Sequence, residues 1–383
     1  MERFLTEEQQ MIVDIARQIT DELIIPNRAE LDKHHQFPRE ILNAIAQADL
    51  MGLSIPEDYG GYGGSIFDSI LAIEEFGRGC IAVGTAYAAS GLGVLPLIVA
   101  GSDEQKQTYL PPVASGEKFA AFGLTEANAG SDASGIRTTA VLDGDQWVLN
   151  GTKQWITNGG EAQIYLVVAM TDKSRGARGA SIFIVEDGDP GFSCGPKEHK
   201  MGICASSTTE LIFKDCRIPQ DRLVGRKGTG FITVMKTLDS SRPGIAALGV
   251  GLAQGALDMA VTYAKQREQF GKPIISFQAV QHMLADMATQ TEAARALTYA
   301  AAKHIDANPK DMSKASSMCK VFATDVAMKV TTDAVQVMGG YGYMCEYPAE
   351  KMMRDAKILQ IYEGTNQVQR NVIGQELNKE YNR

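Results

Sequence analysis

The sequence predicts a mainly α-helical protein with a β domain in its middle, and three observations carry that expectation. Apolar residues recur at helical spacing through the N-terminal part of the chain. Residues 119–227 favour short strands bounded by turn signals, with no crossover helices alternating between them. From residue 228 the helical period returns in long segments rich in Ala, Met and Leu. The chain therefore divides into an N-terminal helical domain (1–118), a middle β domain (119–227) and a C-terminal helical bundle domain (228–383).

Taken in order, Thr6 and Gln9 form a capping-box pattern ahead of Ile12, Ile15, Ala16, Ile19 and Leu23. Pro26 is expected to interrupt that helix. A second helix opens at Phe37-Pro38 with Ile41, Leu42, Ile45 and Ala48 on one face, and stops near Gly52. A glycine-dense loop (56–64), a helix (66–76), a small-residue segment (84–96) and a short polar piece (103–109) follow, and Pro111-Pro112 ends the region. In the middle domain, strands are expected at 146–151, 164–169, 180–185 and 209–213, with turns at Gly144-Asp145, Asn158-Gly159-Gly160 and 187–191. The later helices are read at 230–236, 245–266, 277–306 and 313–338, lengths that suit a bundle.

Composition excludes several classes of function. With 383 residues, 44% of them hydrophobic, the chain can bury a large core and is not predominantly disordered. A net charge of −9 repels phosphate backbones, so no nucleic acid is expected as a partner. No apolar run reaches the roughly 18 residues of a membrane span. The start, Met1 to Glu8, carries acids where a leader peptide would not, so a cytoplasmic protein is expected. Six cysteines without C-x-x-C spacing and five histidines without H-E-x-x-H give no metal site. The small-residue run Gly249 to Gly255 follows no strand and lacks G-x-G-x-x-G spacing, so it reads as a helix–helix contact rather than a dinucleotide loop.

Three constellations remain. Leu124 to Asp132 mixes hydroxyls, acids and small residues; composition favours a plain polar loop, though such a loop can bring backbone N–H groups to a ligand. Trp155 beside Thr157 can pack on a planar ring and hydrogen-bond its edge, or can plug a β core. Glu363, between Tyr362 and Gly364, is either a solvated acid at a helix start or a buried carboxyl whose pKa rises toward that of a useful base.

Together, in this order and spacing, these segments resemble the acyl-CoA dehydrogenase family. The motifs are Thr125-Glu126…Gly130-Ser131-Asp132, Trp155-Ile156-Thr157-Asn158, Arg267-Glu268-Gln269-Phe270-Gly271-Lys272 and Gln336…Gly339-Gly340. The likeness runs from Leu5 to Arg370, with the short- and medium-chain branches nearest. It implies an N-terminal helical domain, a β-barrel or sandwich domain and a C-terminal four-helix bundle, assembled as a homotetramer, with FAD as cofactor and a place in fatty acid β-oxidation. By the same resemblance Leu124, Thr125, Trp155 and Thr157 would meet the flavin ring, with Ile156 and Ser131 in the cofactor set. Arg267, Phe270, Gln278, Gln336, Gly339 and Gly340 would hold the pyrophosphate and adenosine end across a subunit interface. Thr365 and Gln367 would touch FAD from beside the catalytic loop. Ser131, Asp239, Arg242 and Gly364 would contact the CoA thioester.

Glu363 matches the catalytic base of that family. It would take the α-proton of an acyl-CoA while flavin N5 takes the β-hydride, giving a trans-2-enoyl-CoA, and electrons would pass to an electron-transfer flavoprotein. Ser241, where some members carry the base instead, cannot act as one. The absence of any arginine between Arg78 and Arg137 disfavours dicarboxylic acyl chains, leaving a neutral short or medium chain, linear, branched or cyclic. Three rival functions stay open: an enoyl-CoA reductase running the reaction backwards, an oxidase, and a catalytically silent acyl-CoA-binding scaffold.

Overall fold

The protein is described by a computed structural model over residues 5–382. Met1 to Phe4, on which part of the leader reading rests, lie outside the described residues. The N-terminal helices are α1 (Glu7–Ile19), α2 (Ile25–Lys33), α3 (Arg39–Gln47), α4 (Ile66–Gly79), α5 (Ile81–Ala100), α6 (Asp103–Tyr109) and α7 (Pro111–Ala114). The capping box at α1 forms as read, with Thr6 and Gln9 exchanging bonds of 3.2 Å. Pro26 does not interrupt the helix as expected. A π-turn at Thr20–Ile24, closed by Ile25 N–H to Thr20 O, places the proline in the first turn of α2, where its missing N–H costs little. Pro111-Pro112 likewise starts a short helix, α7, instead of ending the region.

The middle layer is one eight-stranded sheet: β1 (Ala120–Gly123), β2 (Thr139–Asp143), β3 (Gln146–Thr157), β4 (Ile164–Met170), β5 (Ala180–Glu186), β6 (Phe192–Cys194), β7 (Thr208–Pro219) and β8 (Leu223–Val224). The order is β6-β7-β3-β2-β4-β5-β8, with β1 pairing parallel to β4. β4 and β5 are buried almost throughout, which matches their unbroken apolar runs. β3 is twice the length read from sequence, because it bends at two bulges against β7, between Leu149 and Gly151 and between Lys153 and Ile156. The second bulge aims the Trp155 side chain away from the ladder. Trp147, not Trp155, packs the sheet core, its ring 5.1 Å from Phe183.

The C-terminal part contains α8 (Gly230–Gln266), a small hairpin of β9 (Glu268–Gln269) and β10 (Lys272–Pro273), then α9 (Gln278–Ala307), α10 (Ser313–Met338), α11 (Ala349–Leu359) and α12 (Asn366–Tyr381). The two helices expected at 230–236 and 245–266 are one rod. Pro243 sits inside it, and burial of 242–253 against α4, α5 and α10 keeps it continuous. Its small residues do make a helix–helix contact: a Cβ on Gly251 would lie 2.0 Å from the Glu74 carbonyl of α4. The segment read at 84–96 is the core of α5. By length and composition α5 and α8 could each cross a membrane, contrary to the expectation that no stretch could. Their glycines, hydroxyls and prolines hide the apolar run from inspection, yet 67% and 72% of their most apolar windows are buried within the fold.

Candidate functional site

Glu363 lies in the linker between α11 and α12. Thr365 caps α12, its hydroxyl accepting the Val368 N–H at 3.2 Å. The chain turns sharply just before this cap, with φ of +51° at Glu363 and +87° at Gly364. A non-glycine residue at positive φ is strained and must be held by its surroundings. Here the carbonyls do the holding. Gln369 Nε2 donates to both Glu363 O and Gly364 O at 3.0 Å, Lys320 Nζ donates to Gly364 O at 2.9 Å, and Arg242 Nε donates to Glu363 O at 3.4 Å. With the carbonyls so engaged, the Glu363 and Gly364 N–H groups have no acceptor among the described residues.

The Ser241 hydroxyl donates to Glu363 Oε2 at 2.6 Å. Burial raises the Glu363 carboxyl above its ordinary pKa, while the Ser241 bond and the charges of Arg242 and Lys320 pull the other way. Glu363 lines two spaces at once. One is a cleft of about 360 Å³ between the β domain, α5, α8 and α12; the other is a pocket of about 90 Å³ between α4, α5 and α8. Apolar side chains such as Met51, Ile70, Ile73 and Leu95 dominate the smaller pocket, and none of its lining residues is a lysine or arginine.

The larger cleft gathers Leu124, Thr125, Ser131, Trp155, Ile156, Thr157, Arg242, Glu363 and Gly364 of the expected set. A buried ion pair positions its β-domain wall. Lys153, fully buried, donates to Glu126 Oε1 at 2.7 Å and to Leu124 O at 2.9 Å. Glu126 also accepts the Arg137 and Thr138 N–H groups at 2.6 and 3.0 Å, and Gln154 N–H donates to Thr125 O at 2.8 Å. The loop that composition read as plain is therefore tied down at both edges. Across it, Asn158 donates to Ala86 O at 2.9 Å and so fastens α5 to the sheet.

Trp155 is 56% exposed although it lines the cleft, so its ring face is uncovered. An uncovered indole, half-buried threonines at 125 and 157 and the open cleft fit a flat heteroaromatic ring such as a flavin. Arg267, Gly339 and Gly340 line a separate, shallow cleft of about 440 Å³. A Cβ on either glycine would meet nothing within 4 Å, which leaves the backbone open to an incoming group. Phe270 is 94% exposed at the tip of the β9–β10 hairpin, where it and Gly271 form a two-residue turn with positive φ at both positions. Gln278, Gln336 and Gln367 are exposed and line neither cleft, and Thr365 serves as a helix cap. One chain thus brings the expected flavin-end residues together and leaves the adenosine-end residues on another face. Asp239 is engaged within the fold: it accepts from Arg242 Nη1 at 2.6 Å and from the Ser313 hydroxyl at 2.5 Å.

Sequence reasoning gave no role to Lys320, although a lysine on the buried helical stripe of Ser316, Ala323 and Ala327 was a readable sign. Nor did it find the Lys153–Glu126 pair or the bond from Asn158 to α5, whose partners are distant in sequence.

Family models match along nearly the whole chain: the acyl-CoA dehydrogenase N-terminal domain over residues 6–117, the middle domain over 121–216 and the C-terminal domain over 228–378. The chain is 45% identical to acryloyl-CoA reductase (NADH) of Anaerotignum propionicum, covering 99% of this chain and 96% of that one. Butyryl-CoA dehydrogenase of Megasphaera elsdenii superposes with a TM-score of 0.95 at 45% identity, over 97% and 98% of the two chains. A chain from a structural study of the electron transferring flavoprotein of Acidaminococcus fermentans, directed at flavin-based electron bifurcation, gives 0.96 at 51% identity over 98% and 99%. With three family domains in sequence and a cleft fit for a flavin beside a half-buried glutamate, the chain belongs to the acyl-CoA dehydrogenase family, flavoprotein oxidoreductases whose cofactor is FAD.

Proposed function

We propose that this acyl-CoA dehydrogenase converts a neutral, short, linear acyl-CoA to its trans-2-enoyl-CoA, with Glu363 removing the α-proton. The observation that carries this reading is the position of Glu363. Its carboxylate forms part of the boundary between a cleft fit for a flavin and an apolar pocket fit for an acyl chain. FAD, when bound, supplies the hydride acceptor for the β-carbon. The protein's part is to place the α-carbon against Glu363 and keep water out, so that a desolvated carboxylate is a stronger base. The unpartnered Glu363 and Gly364 N–H groups are available to a thioester oxygen as negative charge develops on it. Arg242 keeps the linker in place from α8.

Pocket size sets the chain length. An apolar cavity of about 150 Å³ holds a benzene molecule. A pocket of about 90 Å³ therefore suits a four-carbon acyl group better than a longer one. The butyryl-CoA dehydrogenase likeness supports the same choice. In an anaerobic titration with saturated acyl-CoAs, butyryl-CoA should bleach the flavin best and octanoyl-CoA poorly; octanoyl-CoA as the better substrate would sink the short-chain reading. Gly91 of α5 lines this pocket, and a Cβ there meets nothing within 4 Å. Gly91→Val should lower kcat/KM for butyryl-CoA by about 10-fold relative to propionyl-CoA, the usual worth of one or two methylenes in a hydrophobic pocket.

The Arg267, Phe270, Gln278, Gln336, Gly339 and Gly340 group is assigned to the adenosine end of FAD bound by a neighbouring subunit of a homotetramer. All but the half-buried Arg267 are exposed on one chain, which supports that arrangement. Ser131 and Arg242 are assigned to the CoA moiety. Arg267→Ala should cut FAD retained after dialysis several-fold, checked by flavin absorbance per chain; undiminished FAD would remove Arg267 from the set.

An electron-transfer flavoprotein is the proposed redox partner and the cytoplasm the proposed setting, the latter supported by burial of the two apolar helices. The reductase likeness favours a second reading, reduction of a short enoyl-CoA. Site residues accelerate both directions alike, so the purified pair must be assayed with NADH and acryloyl-CoA. Net NADH consumption would assign the reductase direction.

A further inference from the structure

The linker that carries Glu363 rests on a buried cation. Lys320 of α10 is fully buried, and its ammonium donates to Gly364 O at 2.9 Å and to Asn366 Oδ1 at 2.8 Å. Both acceptors belong to the linker and the first residue of α12. Among the described residues no carboxylate lies within ion-pair distance of Lys320 Nζ. A neutral side chain could fill the same space, so an ammonium buried there without a paired acid is a costly choice for packing alone.

The neighbouring charges are already balanced. On α8, Arg242 is matched by Asp239 at 2.6 Å. On α10 itself, Asp325 is matched by Arg370 of α12 at 2.6 Å and also accepts from Gln360 and Asn366. Ser241 faces Glu363 from α8 and carries no charge. Arg242 and Lys320 are thus the two cations that act on the Glu363 carboxylate, Arg242 already held by Asp239 and Lys320 without an acid of its own across the Gly364 peptide. Burial pushes the Lys320 pKa down to about 7, and Glu363 opposes that shift.

We propose that Lys320 is a positioning residue for Glu363: it clamps the Gly364 carbonyl from inside the fold and supplies the positive field that keeps the Glu363 carboxylate ionised when the cleft is closed to water. The inference rests on Glu363 being the base, and deepens it by naming what tunes that base. The clamp fixes the strained linker, and the field offsets part of the desolvation of the carboxylate.

The test uses FAD-loaded wild-type, Lys320→Met, Lys320→Gln, Lys320→Arg and Glu363→Gln proteins, with flavin bleaching by butyryl-CoA followed anaerobically across pH. FAD content and butyryl-CoA affinity are measured alongside. The acid limb of the bleaching rate should move to higher pH by about one unit in Lys320→Met and Lys320→Gln, a roughly 10-fold loss on the limb. Lys320→Arg, permanently charged, should return the limb to the wild-type position or below, and FAD content should change little. An unmoved limb in the neutral variants, with Glu363→Gln inactive, overturns the Lys320 inference and leaves the base assignment standing. Full bleaching by Glu363→Gln overturns the base assignment itself. Should the neutral variants fail to hold FAD, Lys320→Arg decides: a limb at or below the wild-type position supports the proposal, and a raised limb overturns it.

Discussion

Glu363→Gln is expected to retain FAD and bind butyryl-CoA, yet to lose flavin bleaching by about four orders of magnitude, near the upper end of what a positioned base contributes. The amide keeps the size of the side chain and can still accept the Ser241 hydroxyl bond, so the linker should not rearrange. Only the ability to take a proton is lost. Stopped-flow absorbance of the flavin after mixing with excess butyryl-CoA reads the effect directly, and near-normal bleaching would refute the assigned role. The pH dependence has a definite sign. Because burial raises the Glu363 pKa, the acid limb of kcat/KM should lie above the ordinary carboxylate value of 4.5, and the rate should fall as pH drops through it. The same shift affects stability. A native carboxyl that holds its proton more tightly than the unfolded chain does loses stabilising weight as pH rises from 4.5 through the raised value. Glu363→Gln removes that penalty, so the variant should be more resistant to urea than wild type at neutral pH.

Lys153→Met should be the most destabilising single change in the cleft wall. It leaves the Glu126 carboxylate buried with only the Arg137 and Thr138 N–H groups as donors, and frees the Leu124 carbonyl. Breaking one side of such a pair costs about 3–5 kcal/mol, because the remaining charge stays desolvated. Urea unfolding followed by circular dichroism measures the loss. Since Lys153 also anchors the peptide beside Thr125, FAD retention should fall together with stability. The double variant Lys153→Met/Glu126→Gln should recover much of the lost stability, as no unpaired charge remains. A single variant within about 1 kcal/mol of wild type would show that the pair is not what holds this loop.

The parts of the fold that were legible in the sequence are those set by local pattern. The Thr6–Gln9 capping box, the unbroken apolar strands β4 and β5, and the small-residue seam of α8 all formed where the residues indicated. Pro26 misled, because a proline breaks a helix only when nothing else holds it, and Pro96 and Pro243 also lie inside continuous helices. A π-turn accommodates the first, and burial carries α5 and α8 through the other two. The extended β3 could not be foreseen, since its bulges depend on the register of β7, more than fifty residues further along the chain. At the site, Glu363 and Trp155 stood out as residue types in suggestive settings. What gives them their chemistry did not: Lys320, Ser241 and Asn158 act across 38 to 122 positions, and no local window reports such pairings.

The contact of α8 with α4 has a consequence for how the enzyme can diversify. At Gly251 the two rods touch with backbone against backbone, and these same rods, with α5, wall the acyl pocket. Their separation is a fixed gauge: the rods already touch at the smallest residue, and any side chain at the crossing point would drive into backbone rather than ease them apart by degrees. A lineage that needs a longer acyl tunnel must whittle the lining, at positions such as Ile70, Ile73 or Leu95, while the frame stays put.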